Sequence, residues 1–465
     1  MLLMRSLLLA ATLLLPIVTF AQSGAPAKDL APTPPMGWNS WDAYGTTIDE
    51  TSFRANAEWI AKHLKPFGYQ YVTIDEGWYE PRASAAANSS EQLVIDQYGR
   101  FIPALDRFPS AANGAGFTPL ADYIHSLGLK FGIHVLQGIP RKAVAENLPI
   151  EGSGDKAKEA ANPFATCQWD TKNWDLQDNE AAQAYYDSIV RLYASWHVDL
   201  IKIDCIASRP YKGEEIRMFH EAIAKSGAPM VLSLSPGPAP MNEAANLEAY
   251  SQQWRISDDV WDVWQSTGAF PQGLNDQIAR AAKWLPYAGI QDGQGHWPDS
   301  DMLAIGNLRP SPGWGQPRAS RLTPDEQRSM IDLWSIVRSP LVYGGDPLTT
   351  DAATLALLTN PDVIQVDQHS RDNKNVILTH DLAVYTARPA SGSGAYVAIF
   401  NREDKPQEIT LTLAQLGLEQ QSSVAYDLWS KKRSAPVNQV DQADQAIHLT
   451  LAAHASTILL VAPIV

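Results

Sequence analysis

The stretch Val198-Asp199-Leu200-Ile201-Lys202-Ile203-Asp204 is a short, β-branched apolar run that ends abruptly in charge. A helical pattern leads into it and Arg209-Pro210 follows, which predicts a buried parallel strand with Asp204 at its C-terminal tip. Lys202 and Asp204 are two positions apart, so both side chains lie on one face of that strand. In a closed barrel that face is the interior. An unpaired charge is costly there, and an ammonium beside a carboxylate keeps that carboxylate ionised at neutral pH. An ionised carboxylate at a strand tip can act as a nucleophile or base; a structural ion pair closing the strand is the plainer reading of the same two residues.

The helix-then-strand unit recurs. Residues 36–41 are strand-like, Thr47-Ile48-Asp49-Glu50 has the form of a capping box opening a helix to about Leu64, and a strand over 69–74 ends in Asp75-Glu76-Gly77-Trp78. Helical patterns at 119–127, 181–196, 214–225, 243–250 and 276–284 precede extended segments at 129–135, 198–204, 229–234 and 253–256 and a Gly-rich stretch at 288–298, where the seventh strand is poorly marked. A second box, Thr323-Pro324-Asp325-Glu326, opens a helix to Arg338 before the strand-like 339–345. Eight strand candidates alternating with helices in one direction predict a (β/α)8 TIM barrel over 30–368 rather than an open doubly wound sheet. From about Ser370 the pattern changes to short extended pieces at 376–378, 382–386, 395–400, 408–413, 422–428 and 456–461. Turn residues separate them, which predicts a C-terminal antiparallel β-sandwich over 370–465.

Charge and composition narrow the function. The net charge of −15, from 36 basic and 51 acidic residues without a basic cluster, argues against a nucleic-acid partner. Arg5 precedes a continuous apolar run over 7–20 that closes in Thr19-Phe20-Ala21, which predicts an export signal over 1–21, cut after Ala21, and a soluble exported (periplasmic or secreted) protein. No second apolar segment reaches membrane length, so no membrane association is expected after cleavage. The ten His are scattered without a zinc-like pattern and there is no Gly-rich phosphate loop, so neither a metal nor an organic cofactor is expected.

The charged strand tips are Asp75 and Glu76, His134, Lys202 and Asp204, Arg255 with Asp258 and Asp259, and Asp299 with Asp301. Any one Asp alone reads more readily as a solvated loop carboxylate, but in a barrel all of these converge on one mouth. With Trp41, Trp78, Trp254 and Trp297 interleaved, the set points to glycoside hydrolysis, which needs one ionised carboxylate and one protonated carboxyl flanking the anomeric carbon. Asp204 suits the ionised role, and Asp259 or Asp258 the acid, whose pKa must be raised by burial.

The segments 35–41, 74–78, 199–204, 254–259 and 299–307 resemble, in this order, the signature segments of glycoside hydrolase family 27, the α-galactosidase (melibiase) and α-N-acetylgalactosaminidase family. The resemblance implies a retaining double displacement on a terminal α-galactosyl residue of an oligosaccharide or glycoconjugate. It makes Asp204 the nucleophile, selects Asp259 over Asp258 as acid/base, and makes Lys202 and Arg255 sugar ligands. Trp41 would wall the pocket, and Asp75, Glu76 and Asp301 would bind hydroxyls. It also implies a Cys167–Cys205 disulfide, with Cys205 one position nearer the nucleophile than the family's Lys-x-Asp-x-Cys places it.

The chain departs from the family's α-galactosidases in ways that bear on the sugar. Asp75-Glu76 stands where an Asp-Asp pair is usual, and the added methylene pushes a carboxylate deeper into the pocket. β-L-Arabinopyranose is α-D-galactose without the C6 hydroxymethyl group, so the longer acid could fill that space, which makes β-L-arabinopyranosidase the main alternative. The small residues of Leu234-Ser235-Pro236-Gly237-Pro238-Ala239 could leave room for an N-acetyl group, the α-N-acetylgalactosaminidase alternative. His134 stands where the family often has Tyr, and reads equally as a pocket hydrogen-bonding group or a packed strand-end residue. A catalytically silent carbohydrate-binding protein on the same barrel is the alternative from another class.

Overall fold

The computed structural model describes residues 30–82, 92–268, 270–291, 294–309, 316–418, 423–432 and 446–463. The export signal expected over 1–21 lies outside the described residues. Eight parallel strands follow one another around a curled sheet: β1 (Met36–Asn39), β2 (Tyr71–Ile74), β3 (Lys130–Leu136), β4 (Leu200–Asp204), β5 (Val231–Leu234), β6 (Gln253–Arg255), β7 (Gln294–Asp299) and β8 (Leu341–Tyr343). β1 pairs with both β2 and β8, and a parallel bridge from Leu303 to Tyr343 draws the chain beyond β7 against β8. The seventh strand, obscure in the sequence, pairs with β6 from Trp297 opposite Gln253 to Asp299 opposite Arg255. Gly289–Gln291 pairs antiparallel with its start, so a second short strand lies inside the Gly-rich stretch.

The outer helices include α1 (Glu50–His63), α2 (Thr118–Ser126), α3 (Glu180–Ser195), α4 (Gly213–Ser226), α5 (Ala244–Tyr250), α6 (Leu274–Trp284) and α7 (Pro324–Val337), and Ala352–Leu358 and Pro361–His369 follow β8. α3 buries Ala182, Tyr185, Tyr186, Ile189, Val190 and Tyr193, the spacing of one helical face. α7 begins with the expected capping box: Thr323 Oγ1 accepts from Glu326 N at 3.2 Å, and the Glu326 carboxylate accepts from Thr323 N at 2.7 Å. The box expected at Thr47 does not form. Thr47 ends a 3-10 turn and donates its hydroxyl to Tyr44 O at 2.6 Å, while Asp49, with extended backbone, caps α1 by accepting from Ser52 N at 2.9 Å. Both residue types cap well, and the one with the extended backbone prevails.

Beyond residue 369 the chain builds a sandwich. β9 (Arg371–Leu378), β10 (Leu382–Arg388), β11 (Ala395–Asn401), β13 (Ser423–Asp427) and β15 (Ser456–Pro463) make a five-stranded antiparallel sheet in the order β9-β10-β11-β15-β13. β12 (Gln407–Thr412) pairs with β14 (Ala446–Leu451), a strand the sequence reading did not anticipate, to form the facing layer. Alternation along the larger sheet divides its side chains. Val384, Val397, Ile399, Leu459 and Val461 fill the sandwich interior, while Tyr385, Ala387, Tyr396, Ala398, Phe400 and Ile458 join the barrel core. Among the described residues no helix is long and apolar enough to cross a membrane.

At this junction Asp332 of α7 is fully buried, accepting from Trp429 Nε1 at 2.8 Å and from Ser456 Oγ at 2.6 Å. Burial pushes its carboxyl up to about 7, against the pull of those two donors. A carboxyl that titrates higher folded than unfolded contributes stability fully below its unfolded pKa of about 3.9 and loses it as pH rises through the folded value. Asp332→Asn is therefore expected to flatten the decline of Tm between about pH 4 and 7. Thermal unfolding across that range checks it, and equal slopes for variant and parent would contradict the assignment.

Candidate active site

The C-terminal strand ends bring the charged residues together, as the geometry of a parallel barrel requires. Lys202 of β4 places its Nζ 2.7 Å from Asp75 Oδ2 at the end of β2. Asp75 also accepts from Asn39 Nδ2 at 2.6 Å and from Glu76 N at 2.8 Å. Burial alone would push the Asp75 carboxyl up; Lys202 and His134 outweigh it and hold the group below its ordinary value. Asp204 is a stronger case. Burial opposes ionisation, but His134, whose Nε2 lies 3.4 Å from Asp204 Oδ2, together with Lys202 and Ser235, holds this carboxyl well below the usual range.

A second cation organises the other side of the mouth. Arg255 of β6 is buried and reaches Asp301 Oδ2 at 2.5 Å and Asp259 Oδ1 at 3.1 Å. Asp301 is pinned from several directions: its Oδ2 accepts from Val260 N at 2.6 Å, its N donates to Asp299 Oδ1 at 2.8 Å, and its O accepts from Trp334 Nε1 at 2.7 Å. Its φ of 89° is unusual for a side-chain-bearing residue, strain held in place by those contacts. Burial, with the charges of Asp259 and Asp299, pushes Asp301 up to about 7 despite Arg255. Asp259 is likewise raised, by burial and by the charge of Asp204. Its neighbour Asp258 is engaged elsewhere, 2.8 Å from Arg209 Nη1.

Glu76 meets a third cation, which the sequence reading missed. Lys172 Nζ lies 3.2 Å from Glu76 Oε1, 2.7 Å from Asp170 Oδ2 and 3.0 Å from Glu80 Oε1. Burial first, then the charge of Asp170, raises the Glu76 carboxyl well above its ordinary value. Asp42 was also missed. It is fully buried, raised by desolvation and by Asp301 and Asp259, and approached so closely by Gly344 that a Cβ there would sit 2.2 Å from Asp42 Oδ2. The available signals were Asp42 next to Trp41 in the first signature segment, and the Asp170/Lys172 pair just beyond Cys167.

The aromatic residues are corrected by their burial. Trp78, Trp254 and Trp297 are fully buried, and Trp78 and Trp297 donate to the carbonyls of His134 and Ala31, so these three are core residues rather than sugar platforms. Trp41 is only partly buried and packs beside Trp261, Ala304 and Leu308. Glu76, His134 and Asp204 bring possible ligand atoms within 4.8 Å of one another. The ammonium groups of Lys172 and Lys202 adjoin those carboxylates and disfavour a divalent cation there.

A mouth that holds one carboxyl well below its ordinary value and pushes a neighbouring one above it, on a TIM barrel, has the makings of a glycosidase site, and comparison with known proteins agrees: this is a glycoside hydrolase. A family model described as Alpha galactosidase A matches residues 33–177 and 170–369, and one described as Alpha galactosidase C-terminal beta sandwich domain matches residues 379–461. The chain belongs to glycoside hydrolase family 27. It is 43% identical to the solved family-27 β-L-arabinopyranosidase of Geobacillus stearothermophilus, with a TM-score of 0.86 over 94% of this chain and 98% of that one. A solved putative α-N-acetylgalactosaminidase from Bacillus halodurans is 41% identical, with a TM-score of 0.81 over 95% and 100% of the two chains. The α-galactosidase of Coffea arabica is 30% identical over 409 residues, 87% of this chain and 88% of that one.

Cys167 and Cys205 are bridged, with their Cα atoms 5.8 Å apart. The bond ties the loop carrying Asp170 and Lys172 to the residue immediately after Asp204, where Cys205 adopts a φ of 64°. Closing a loop of 38 residues removes about 4 kcal/mol of unfolded-state freedom in the chain-entropy account. Cys167→Ser combined with Cys205→Ser is expected to lower stability by an amount of that order and to reduce turnover. Denaturant unfolding and kcat/KM check it; unchanged values in both would show the bridge to be dispensable.

Proposed function

We propose that this protein is a retaining glycosidase that releases terminal α-D-galactosyl residues, with Asp204 as nucleophile and Asp259 as acid/base. The observation that carries the reading is the opposition of their environments: Asp204 is held well below the usual carboxylate range and Asp259 above it. Asp204 attacks the anomeric carbon while Asp259 gives its proton to the departing glycosidic oxygen, leaving a covalent glycosyl-enzyme. Asp259, now ionised, takes a proton from water, which displaces Asp204 and restores the original configuration. Lys202 and Arg255 donate to sugar hydroxyls, Asp75, Glu76 and Asp301 accept from them, and Trp41 walls the pocket. α-Galactosidase relatives such as that of Coffea arabica support this sugar assignment.

A second reading, β-L-arabinopyranoside, is favoured by a specific observation. Glu76 is the longer acid and is bonded to buried Lys172, and the Geobacillus stearothermophilus β-L-arabinopyranosidase is 43% identical. The proposed location is outside the cytoplasm: the leader-like sequence over 1–21 and a disulfide suited to an oxidising compartment support export.

The rate requires Asp204 ionised and Asp259 protonated, so kcat/KM is expected to be bell-shaped in pH. Its acid limb should fall below the ordinary Asp value of about 3.9 and its alkaline limb above that value. Asp204→Asn is expected to cut turnover by at least about a thousandfold while sugar binding survives; a variant that still turned over would defeat the mechanism and point to a different nucleophile.

The sugar is decided by kcat/KM on aryl α-D-galactopyranoside, aryl β-L-arabinopyranoside and aryl α-N-acetylgalactosaminide. The galactoside is the expected best substrate. Should the arabinopyranoside win, Glu76 fills the C6 space, and Glu76→Asp is expected to move the preference toward galactoside by about 10-fold or more.

A further inference from the structure

Lys172 is a nearly enclosed ammonium, its side chain 4% exposed, with the carboxylates of Glu76, Asp170 and Glu80 within reach. An ammonium is costly to bury unless it is paired, so a cation held here by carboxylates on two separate segments defines where those carboxylates sit. Its own position is fixed by the backbone. Lys172 N donates to Asp170 Oδ1 at 2.9 Å, and Lys172 O accepts from Arg141 N at 2.9 Å. The next residue, Asn173, donates its Nδ2 to Gln137 O at 2.9 Å, fastening the loop to the end of β3, and the Cys167–Cys205 bridge fastens it beside Asp204. The segment that bears Glu76 and Glu80 is held just as firmly: fully buried Arg107 donates to the carbonyls of Gly77 and Glu80.

Of the carboxylates around Lys172, Glu76 is the one that also adjoins His134 and Asp204, at the reacting end of the pocket. Each rotamer of an unrestrained Glu would put the carboxyl at a different depth, and its three torsions cost freedom to fix. We propose that Lys172, with Asp170, is a specificity-determining positioning residue: it holds the Glu76 carboxyl at one depth and thereby sets how the site divides between a terminal sugar that carries a C6 hydroxymethyl group and one that lacks it. This rests on the glycosidase reading above. Lys172 acts through Glu76 and does not itself touch the substrate.

The test is a double-mutant cycle on the full mature chain. Lys172→Met is expected to move the ratio of kcat/KM for aryl β-L-arabinopyranoside over aryl α-D-galactopyranoside toward the galactoside by about 10-fold, the worth of a misplaced methylene. In a Glu76→Asp background the same substitution is expected to move that ratio by less than about twofold, because the group it positions has already been withdrawn. A Lys172→Met variant that loses activity equally on both glycosides, with an additive cycle, would make Lys172 merely structural and overturn the inference. Asp170→Asn keeps both volume and ammonium; if Lys172→Met fails to fold, this variant is expected to shift the ratio in the same direction, and no shift counts against the inference. The cycle is repeated without turnover, as calorimetric affinities for free L-arabinose and D-galactose in the Asp204→Asn background. Absent hydrolysis in the parent would sink the glycosidase reading alone, while the affinity ratio would still decide the role of Lys172.

Discussion

Three cations govern the mouth of this barrel, and the number of carboxylates around each decides which carboxyls are held down and which are pushed up. Lys202 is set against Asp75 and Asp204 with His134 alongside, and both carboxylates stay ionised in spite of burial. Arg255 faces Asp259, Asp301 and Asp299, and Lys172 faces Glu76, Asp170 and Glu80. One positive charge cannot hold three desolvated negative ones, so at least one carboxyl in each group is pushed upward: Asp259 and Asp301 in the first, Glu76 in the second. The site shifts groups of one residue chemistry in opposite directions by unequal charge balance. Burial is common to all of them and so does not separate them.

Much of this was legible in the chain. The pairing of Lys202 with Asp204 on one strand face follows from a spacing of two, and the order of the barrel from helices that each lead into an apolar run. The Thr323 box was readable because its partner residues are local. What escaped the sequence was set by contacts between distant segments. Lys172 lies in an irregular loop with no period to mark it, 96 positions from the Glu76 it meets. Trp78, Trp254 and Trp297 were indistinguishable from Trp41 until burial separated core from pocket. The box read at Thr47 gave way to Asp49 because the backbone path, which the sequence does not show, is extended at Asp49. β14 alternates as a strand should and was overlooked all the same.

The loop carrying Lys172 is held by other means than the strand tips. Asp75, Lys202 and Asp204, Arg255, and Asp299 stand at or just beyond the ends of barrel strands β2, β4, β6 and β7, and their positions follow from closing the sheet. The loop between β3 and β4 is under no such constraint. Its fixity comes instead from Asn173, Arg141 and the disulfide. The strand-end groups are thus placed by the rigid scaffold, and Lys172 by a segment made rigid by separate means.

The five-stranded sheet of the sandwich has two apolar faces, one turned to its own partner sheet and the other, with Tyr385, Tyr396 and Phe400, lodged in the barrel core over α7. It is thus an outer layer of the barrel as much as a domain. A gene truncated after residue 369 would leave α7 wet and sticky rather than trimmed, and the sandwich expressed alone would show water a face built for oil. The two halves are not interchangeable cassettes, and grafting this catalytic barrel onto a foreign C-terminal domain would require re-cutting the seam along α7 residue by residue.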